Sequence, residues 1–149
     1  MVELYYCKEC ESIMYIKPLE GTTFKDVSFP SSVSNFSAFM SKKEKLPICC
    51  DKEMVKLEPH IIESLQEKHL PFVKINGRKV TIKVGSILHS MTEEHHIVYI
   101  LLDTKKTRYE MYPYKQKEAP EIIFEIEEDD KPIAVYAVCN LHGLWKFDL

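Results

Sequence analysis

From residue 70 to the end, apolar and polar residues alternate in short runs separated by turn residues. The clearest run is Arg78–Val84. Val80, Ile82 and Val84 fall on one face, and Lys79, Thr81 and Lys83 on the other. A period of two marks a strand with one face against a core. Asn76-Gly77 separates this run from Pro71–Ile75 and predicts a hairpin closed by a type I′ turn. His96–Asp103 is apolar on both faces, the pattern of a central strand. Further strands are expected at Thr107–Tyr114, Glu121–Glu127, Pro132–Cys139 and Leu144–Asp148, with Asp129-Asp130-Lys131-Pro132 as a turn before the sixth. Seven short strands with turn signals between them predict a mainly β chain, an antiparallel sandwich or barrel.

The N-terminal part is less regular. Tyr5–Cys10 and Met14–Lys17 are expected as short strands around a first pair of cysteines. Within Gly21–Lys45, Val33, Phe36, Phe39 and Met40 fall at helical spacing after Pro30 and the possible caps Ser31 and Ser32. A boundary is expected near Leu57–Ile62, with Pro59 as the break. This predicts two domains, 1–58 and 59–149, the first carrying an insertion at about 18–45.

Composition narrows the class. Apolar residues make up 45% and charged residues 29%, which excludes a disordered or low-complexity chain. The longest unbroken apolar run, Ile97–Leu102, is far short of the roughly 20 residues a membrane-spanning helix needs. The first residues, MVELYYCKEC, have no basic flank and no apolar stretch of the kind a signal peptide carries. A cytoplasmic protein is expected. Twenty basic residues against 23 acidic ones give a net charge of −3, so no nucleic-acid or membrane partner is expected.

The candidate chemistry lies in five cysteines and six histidines. Cys7 and Cys10 form a C-x-x-C pair, and Cys49 and Cys50 are adjacent. Four thiolates in two close pairs suit one tetrahedral zinc or iron ion. Neighbouring cysteines make a strained disulfide, and an odd count argues against a disulfide framework. A redox C-x-x-C is the competing reading, but it wants a strand–helix context that YYCKECESIMYI does not offer. His89 and His95 bracket SMTEE, and Cys139 and His142 sit in C-N-L-H before Gly143. Ligands three residues apart close on one metal across a tight turn, and Gly143 lets the backbone leave it.

These segments resemble a known family. Glu67-Lys68-His69, then Gly85-Ser86-Ile87-Leu88-His89-Ser90-Met91 running to His95, then Cys139-Asn140-Leu141-His142-Gly143-Leu144-Trp145 look like the iron domain of superoxide reductases, the neelaredoxins. CKEC and ICCDKEM resemble desulforedoxin, so the whole chain looks like the two-site desulfoferrodoxin type. The resemblance implies an immunoglobulin-like seven-stranded sandwich or barrel preceded by a small desulforedoxin-like metal domain. It implies His69, His89, His95 and His142 as equatorial ligands of a catalytic iron, Cys139 as the axial ligand, and an open position opposite the thiolate. Cys7, Cys10, Cys49 and Cys50 would hold a second ion, iron or zinc. His60 and His96 are left as surface or packing residues. His96 stands where the family usually has an aromatic residue, and the step from His89 favours His95 as the ligand. Ser90 replaces the family's usual proline, and residues 11–48 make an unusually long gap between the cysteine pairs. Loop-closure entropy grows slowly with length, so the insertion need not abolish the site.

The implied reaction is one-electron reduction of superoxide. Ferrous iron, superoxide and two protons give ferric iron and hydrogen peroxide, a defence against oxidative stress. The thiolate would push electron density along the axis, as in haem thiolate enzymes. Lys68 would attract superoxide and help protonate the product, and Glu67 would occupy the open position of the ferric ion. The four-cysteine ion would relay electrons or serve structure, a rubredoxin-like protein would donate electrons, and a homodimer is expected. The alternative is a non-catalytic electron-transfer or zinc-stabilised interaction protein on the same fold.

Overall fold

The computed structural model describes residues 2–17, 46–60 and 68–149. The expected helix at Val33–Met40, the insertion at 18–45 and Glu67 lie outside the described residues. The chain divides into two compact units, Met1–Leu57 and Glu58–Leu149.

The first unit is built on β1 (Glu3–Tyr6), β2 (Ile13–Ile16) and β5 (Val55–Leu57), in the order β2-β1-β5, plus the hairpin β3 (Ile48–Cys49) and β4 (Lys52–Glu53). All these pairs are antiparallel. The first strand ends at Tyr6 rather than running to Cys10 as expected. Side chains three apart on a strand point to opposite faces, so a C-x-x-C pair that shares a site must sit in a turn. Here the Cys7 N–H donates to the Ser12 carbonyl at 2.9 Å and the Glu11 N–H to the Cys7 carbonyl at 2.9 Å. Glu11 takes a φ of 59° to complete the turn. Among the described residues Leu4, Tyr5, Cys7 and Met54 are buried, and Cys10, Ile16, Leu46 and Cys49 pack against the cluster of Tyr5, Cys7 and Met54.

Among the described residues, the second unit holds seven strands in two antiparallel sheets. One runs β10 (Glu121–Glu125), β7 (Lys79–Val84), β6 (Pro71–Asn76). The other runs β12 (Gly143–Asp148), β11 (Pro132–Cys139), β8 (Ile97–Thr104), β9 (Arg108–Met111). Val80, Ile82, Val84 and Ile122 of the first sheet share one core with Ile97, Ile100, Leu102, Val135 and Ala137 of the second. This is the expected sandwich. Every residue of β8 is buried, because its outer face is covered too: α1 (Pro113–Gln116) packs on it and Tyr112 meets Tyr99 at 5.0 Å. Full burial of one such aliphatic side chain is worth about 1.5–3 kcal/mol, which makes β8 the main anchor of the unit.

Two local expectations are corrected. The strand expected at Thr107–Tyr114 stops at Met111, and Pro113 opens α1 instead. Proline lacks the N–H a ladder needs but fits the first turn of a helix. The hairpin after Pro71–Asn76 pairs Asn76 with Lys79, so its central residues are Gly77 and Arg78. Only Gly77 has a positive φ there, 61°, which is a II′ turn rather than I′. The I′ geometry occurs at Cys50-Asp51, between Cys49 and its partner Lys52, where φ is 51° and 59°.

Candidate metal centres

The first candidate centre is the four-cysteine group. Cys7 and Cys10 come from the turn after β1, and Cys49 and Cys50 from the turn between β3 and β4. Their sulfur atoms all lie within 4.8 Å of one another. Cys10 Sγ is 3.6 Å from Cys49 Sγ, and Cys49 Sγ is 3.9 Å from Cys50 Sγ. None of the five cysteines, all of them described, is in a disulfide. Ser12 places its Oγ 3.0 Å from Cys10 Sγ, and its hydroxyl and backbone hold Cys10 down at about 6. Cys49, hydrogen-bonded to Cys7 and Cys10, is pushed up to about 12, and Cys50 is raised as well, chiefly through Cys10. Four sulfurs this close do not all ionise unless a cation neutralises them, so the donor set fits one metal ion.

The second centre lies at one end of the sandwich. Antiparallel order brings the ends of β7 and β11 together with the starts of β6, β8 and β12. His69 precedes β6, His89 and His95 lie between β7 and β8, Cys139 ends β11, and His142 precedes β12. The four imidazoles form a closed ring of contacts. Centroid distances are 4.7 Å for His69–His89, 4.5 Å for His89–His95, 5.0 Å for His95–His142 and 4.6 Å for His142–His69. Cys139 Sγ is 3.6 Å from His142 Nδ1, which is itself 2.9 Å from His69 Nε2. The ligand atoms of His69, His95, Cys139 and His142 are mutually within 4.8 Å. His89 stands outside that group of four, although its ring touches two of its members.

Hydrogen bonding decides which nitrogen each ring offers. His89 Nδ1 lies 2.6 Å from the Ser90 carbonyl, a contact that leaves Nε2 for the cluster. His89 Nε2 and His95 Nε2 are buried without a hydrogen-bond partner. Buried polar atoms are nearly always satisfied, and a metal ion satisfies both. Burial, with a smaller push from the other three histidines, lowers His89 to about 4 against an opposing pull from the Ser90 carbonyl. His95 is also lowered, by burial and then by the charges of His142, His96 and Lys68. Both rings are therefore neutral, the state that ligates, near neutral pH. Cys139 is pushed up by burial, opposed by the backbone N–H groups of His142 and Leu141. Metal coordination reverses such a rise, because a coordinating thiol is deprotonated outright.

Residues outside the candidate donor set shape the second site. A Cβ at Gly85, whose φ is 80°, would lie 2.5 Å from the Lys68 carbonyl oxygen, so the close approach of the His69 segment needs glycine. Trp145 is fully buried and stacks on His69 at 5.0 Å and 19°. His96 takes a packing role: it is buried, stacks on Tyr114 at 3.8 Å and places Nδ1 2.8 Å from the Thr92 carbonyl. His60 is exposed, and its ring lies beside Gly143 and Trp145.

The family model described as desulfoferrodoxin matches residues 61–148. The chain belongs to the desulfoferrodoxin family. A desulfoferrodoxin of Clostridium acetobutylicum is 37% identical over 101 residues, covering 68% of this chain and 78% of that protein. The desulfoferrodoxin of Nitratidesulfovibrio vulgaris is 38% identical over 101 residues, covering 66% and 76%. A crystal structure of the superoxide reductase from Treponema pallidum superposes with a TM-score of 0.71 at 25% identity, over 99% of this chain and 98% of that one. The two donor groups match the iron sites of the desulfoferrodoxins. Among the described residues, no helix is long and apolar enough to cross a membrane.

Proposed function

We propose that this chain is a superoxide reductase, with the histidine–cysteine cluster as its catalytic iron site. The observation that carries this reading is the ring of four imidazoles closed beside one buried thiol. Iron held there by these histidines and Cys139 would supply the redox chemistry, the one-electron reduction of superoxide, with uptake of two protons, to hydrogen peroxide. His69 and His95 offer Nε2, His142 offers Nδ1, and His89 joins through its orphaned Nε2. Cys139 is the thiolate ligand. The N–H groups of Leu141 and His142 stabilise its negative charge.

Lys68, exposed and next to His69, draws the superoxide anion toward this end of the sandwich. Its Nζ holds a proton for the product, directly or through water. Glu67 serves as the carboxylate that closes the site after turnover. Met1–Leu57 is the desulforedoxin-like domain of the proposal, relaying electrons through iron or serving structure with zinc. Glu58–Leu149 is the neelaredoxin-like domain. A rubredoxin-like donor, a homodimeric assembly and a cytoplasmic setting complete the reading.

An optical redox titration of anaerobically prepared protein, with metal counted per chain, tests it. The expected result is a thiolate-to-iron band from the second site, lost on Cys139→Ser substitution, whether the first site holds iron or zinc. A colourless protein that carries only zinc and refuses iron on reconstitution overturns the reading in favour of an interaction module.

A further inference from the structure

His95 is held differently from the other ligands of the cluster. It sits in the loop between β7 and β8, in a tight local turn. The Thr92 N–H donates to the His95 carbonyl at 3.0 Å, and the His95 N–H donates to Thr92 Oγ1 at 3.2 Å. That turn is internally fastened, and one residue of the Cys139 turn ties it to the sheet end. The Asn140 side chain accepts from the His96 N–H at 3.0 Å and donates to the Glu94 carbonyl at 3.0 Å. The Asn140 backbone N–H donates to the His96 carbonyl at 3.2 Å. Three hydrogen bonds from one residue thus grip the backbone on both sides of His95.

We infer that Asn140 is a positioning residue that sets His95 against Cys139, so that the two ligands are placed as one unit. An asparagine is suited to this because its amide offers one acceptor and one donor group on a short side chain. Aspartate keeps the acceptor and loses the donor toward Glu94. Alanine loses both. The role is distinct from tuning the thiolate. Asn140 Oδ1 is 4.0 Å from Cys139 Sγ, its N–H is turned to His96, and the N–H groups that stabilise the thiolate belong to His142 and Leu141. Register supports the same division. Val138 pairs with Tyr99 and Cys139 with Ile97, a bulge that skips Val98, so the ladder is irregular where the two loops meet. Asn140 restores the junction through its side chain.

The inference rests on the cluster being a metal site. Its test uses the full chain with zinc in the four-cysteine group and cobalt(II) titrated into the second site, read by the Cys139 thiolate-to-cobalt band and by chelator competition. Loss of an outer partner of a ligating histidine costs about 10–100-fold in metal affinity, and that is the loss expected for Asn140→Ala. Asn140→Asp is expected to lose less, about 3–10-fold, since one of the two side-chain bonds survives. His95→Ala loses more than either. The double variant Asn140→Ala/His95→Ala should match His95→Ala to within about twofold, because residues acting through one contact are not additive. Asn140→Ala binding cobalt as tightly as the unaltered chain overturns the inference. So does a double variant weaker than His95→Ala by the full Asn140→Ala factor, which would place the effect on another ligand. If Asn140→Ala does not fold, the same cycle with Asn140→Asp decides. An unaltered chain that takes up no cobalt at this site sinks the metal reading and the inference together, whereas equal binding by chain and variant sinks the inference alone.

Discussion

The four cysteines come from two turns, each supplying close neighbours in sequence, Cys7 with Cys10 and Cys49 with Cys50. The histidine–cysteine group gathers residues 69, 89, 95, 139 and 142 from the ends of five strands. Among the described residues, the first group packs on a cluster of Tyr5, Cys7 and Met54. The second sits at the end of a sandwich whose strand β8 is buried throughout. The difference concerns what holds the ligands in place. A unit as short as Met1–Leu57 depends on its metal for stability. A site placed at the end of a large core is held by that core, and the metal enters a frame already made. The I′ turn at Cys50-Asp51 fits this view. Two residues other than glycine hold a left-handed backbone there, a conformation that persists when its surroundings dictate it.

Removing the metals should therefore divide the molecule. Structural zinc in small domains binds with an apparent free energy of about 10–16 kcal/mol. Chelation is expected to open β1–β5, with amide hydrogens there exchanging freely, while β8 and β11 keep their protection. Hydrogen exchange followed by mass spectrometry reads this directly. Equal loss of protection in both units would break the comparison.

Gly85→Ala asks whether the second frame is as rigid as claimed. The added Cβ would meet the Lys68 and Ile87 carbonyl oxygens at 2.5 and 2.6 Å, on a backbone with φ of 80°. A cost of about 3 kcal/mol is expected from overpacking and strain, seen as a lower denaturation midpoint and less metal bound at the second site alone. Unchanged metal content would show that the Lys68–His69 segment is not fixed by this contact.

The metal-free protein should also be acid-sensitive through its second unit. Burial holds His89 at about 4, below its ordinary 6.5, so the unfolded chain takes up the proton first as pH falls. Stability is full above about 6.5 and declines as pH falls toward about 4. Denaturant melts across that window check the sign, and His89→Gln should flatten the decline.

Much of this was legible in the chain. The alternation of Val80, Ile82 and Val84 named the buried face of β7, and His96–Asp103 read as a central strand because no polar face interrupts it. The grouping of candidate donors was legible where spacing is short, as in C-x-x-C and C-N-L-H, whose residues do come together. Other features depend on partners distant in sequence. Gly77 became the first rather than the second residue of its turn because the ladder pairs Asn76 with Lys79. Met111 ended β9 because Pro113 favours a helical first turn over a ladder. Gly85 and Trp145 stand in segments that carry the resemblance, but the sequence does not say that they meet Lys68 and His69, nor that Ser12 turns back to Cys10. Their roles arise from what the fold brings near them.

The smallest expected effect concerns the approach of substrate. Lys68→Ala should retain iron and slow superoxide capture by about tenfold at low salt, with the difference shrinking as salt screens the charge. Stopped-flow rates across a salt series check this, and equal rates throughout would remove Lys68 from the proposal.

The most direct test of the catalytic claim is product stoichiometry. Anaerobic, iron-loaded protein is mixed with superoxide while an electron donor keeps it reduced, and peroxide and dioxygen are both measured. The account predicts that every superoxide consumed by the protein appears as hydrogen peroxide with no dioxygen evolved, and that Cys139→Ser abolishes this activity. Dioxygen released in step with peroxide, or superoxide loss unchanged by Cys139→Ser, would contradict it.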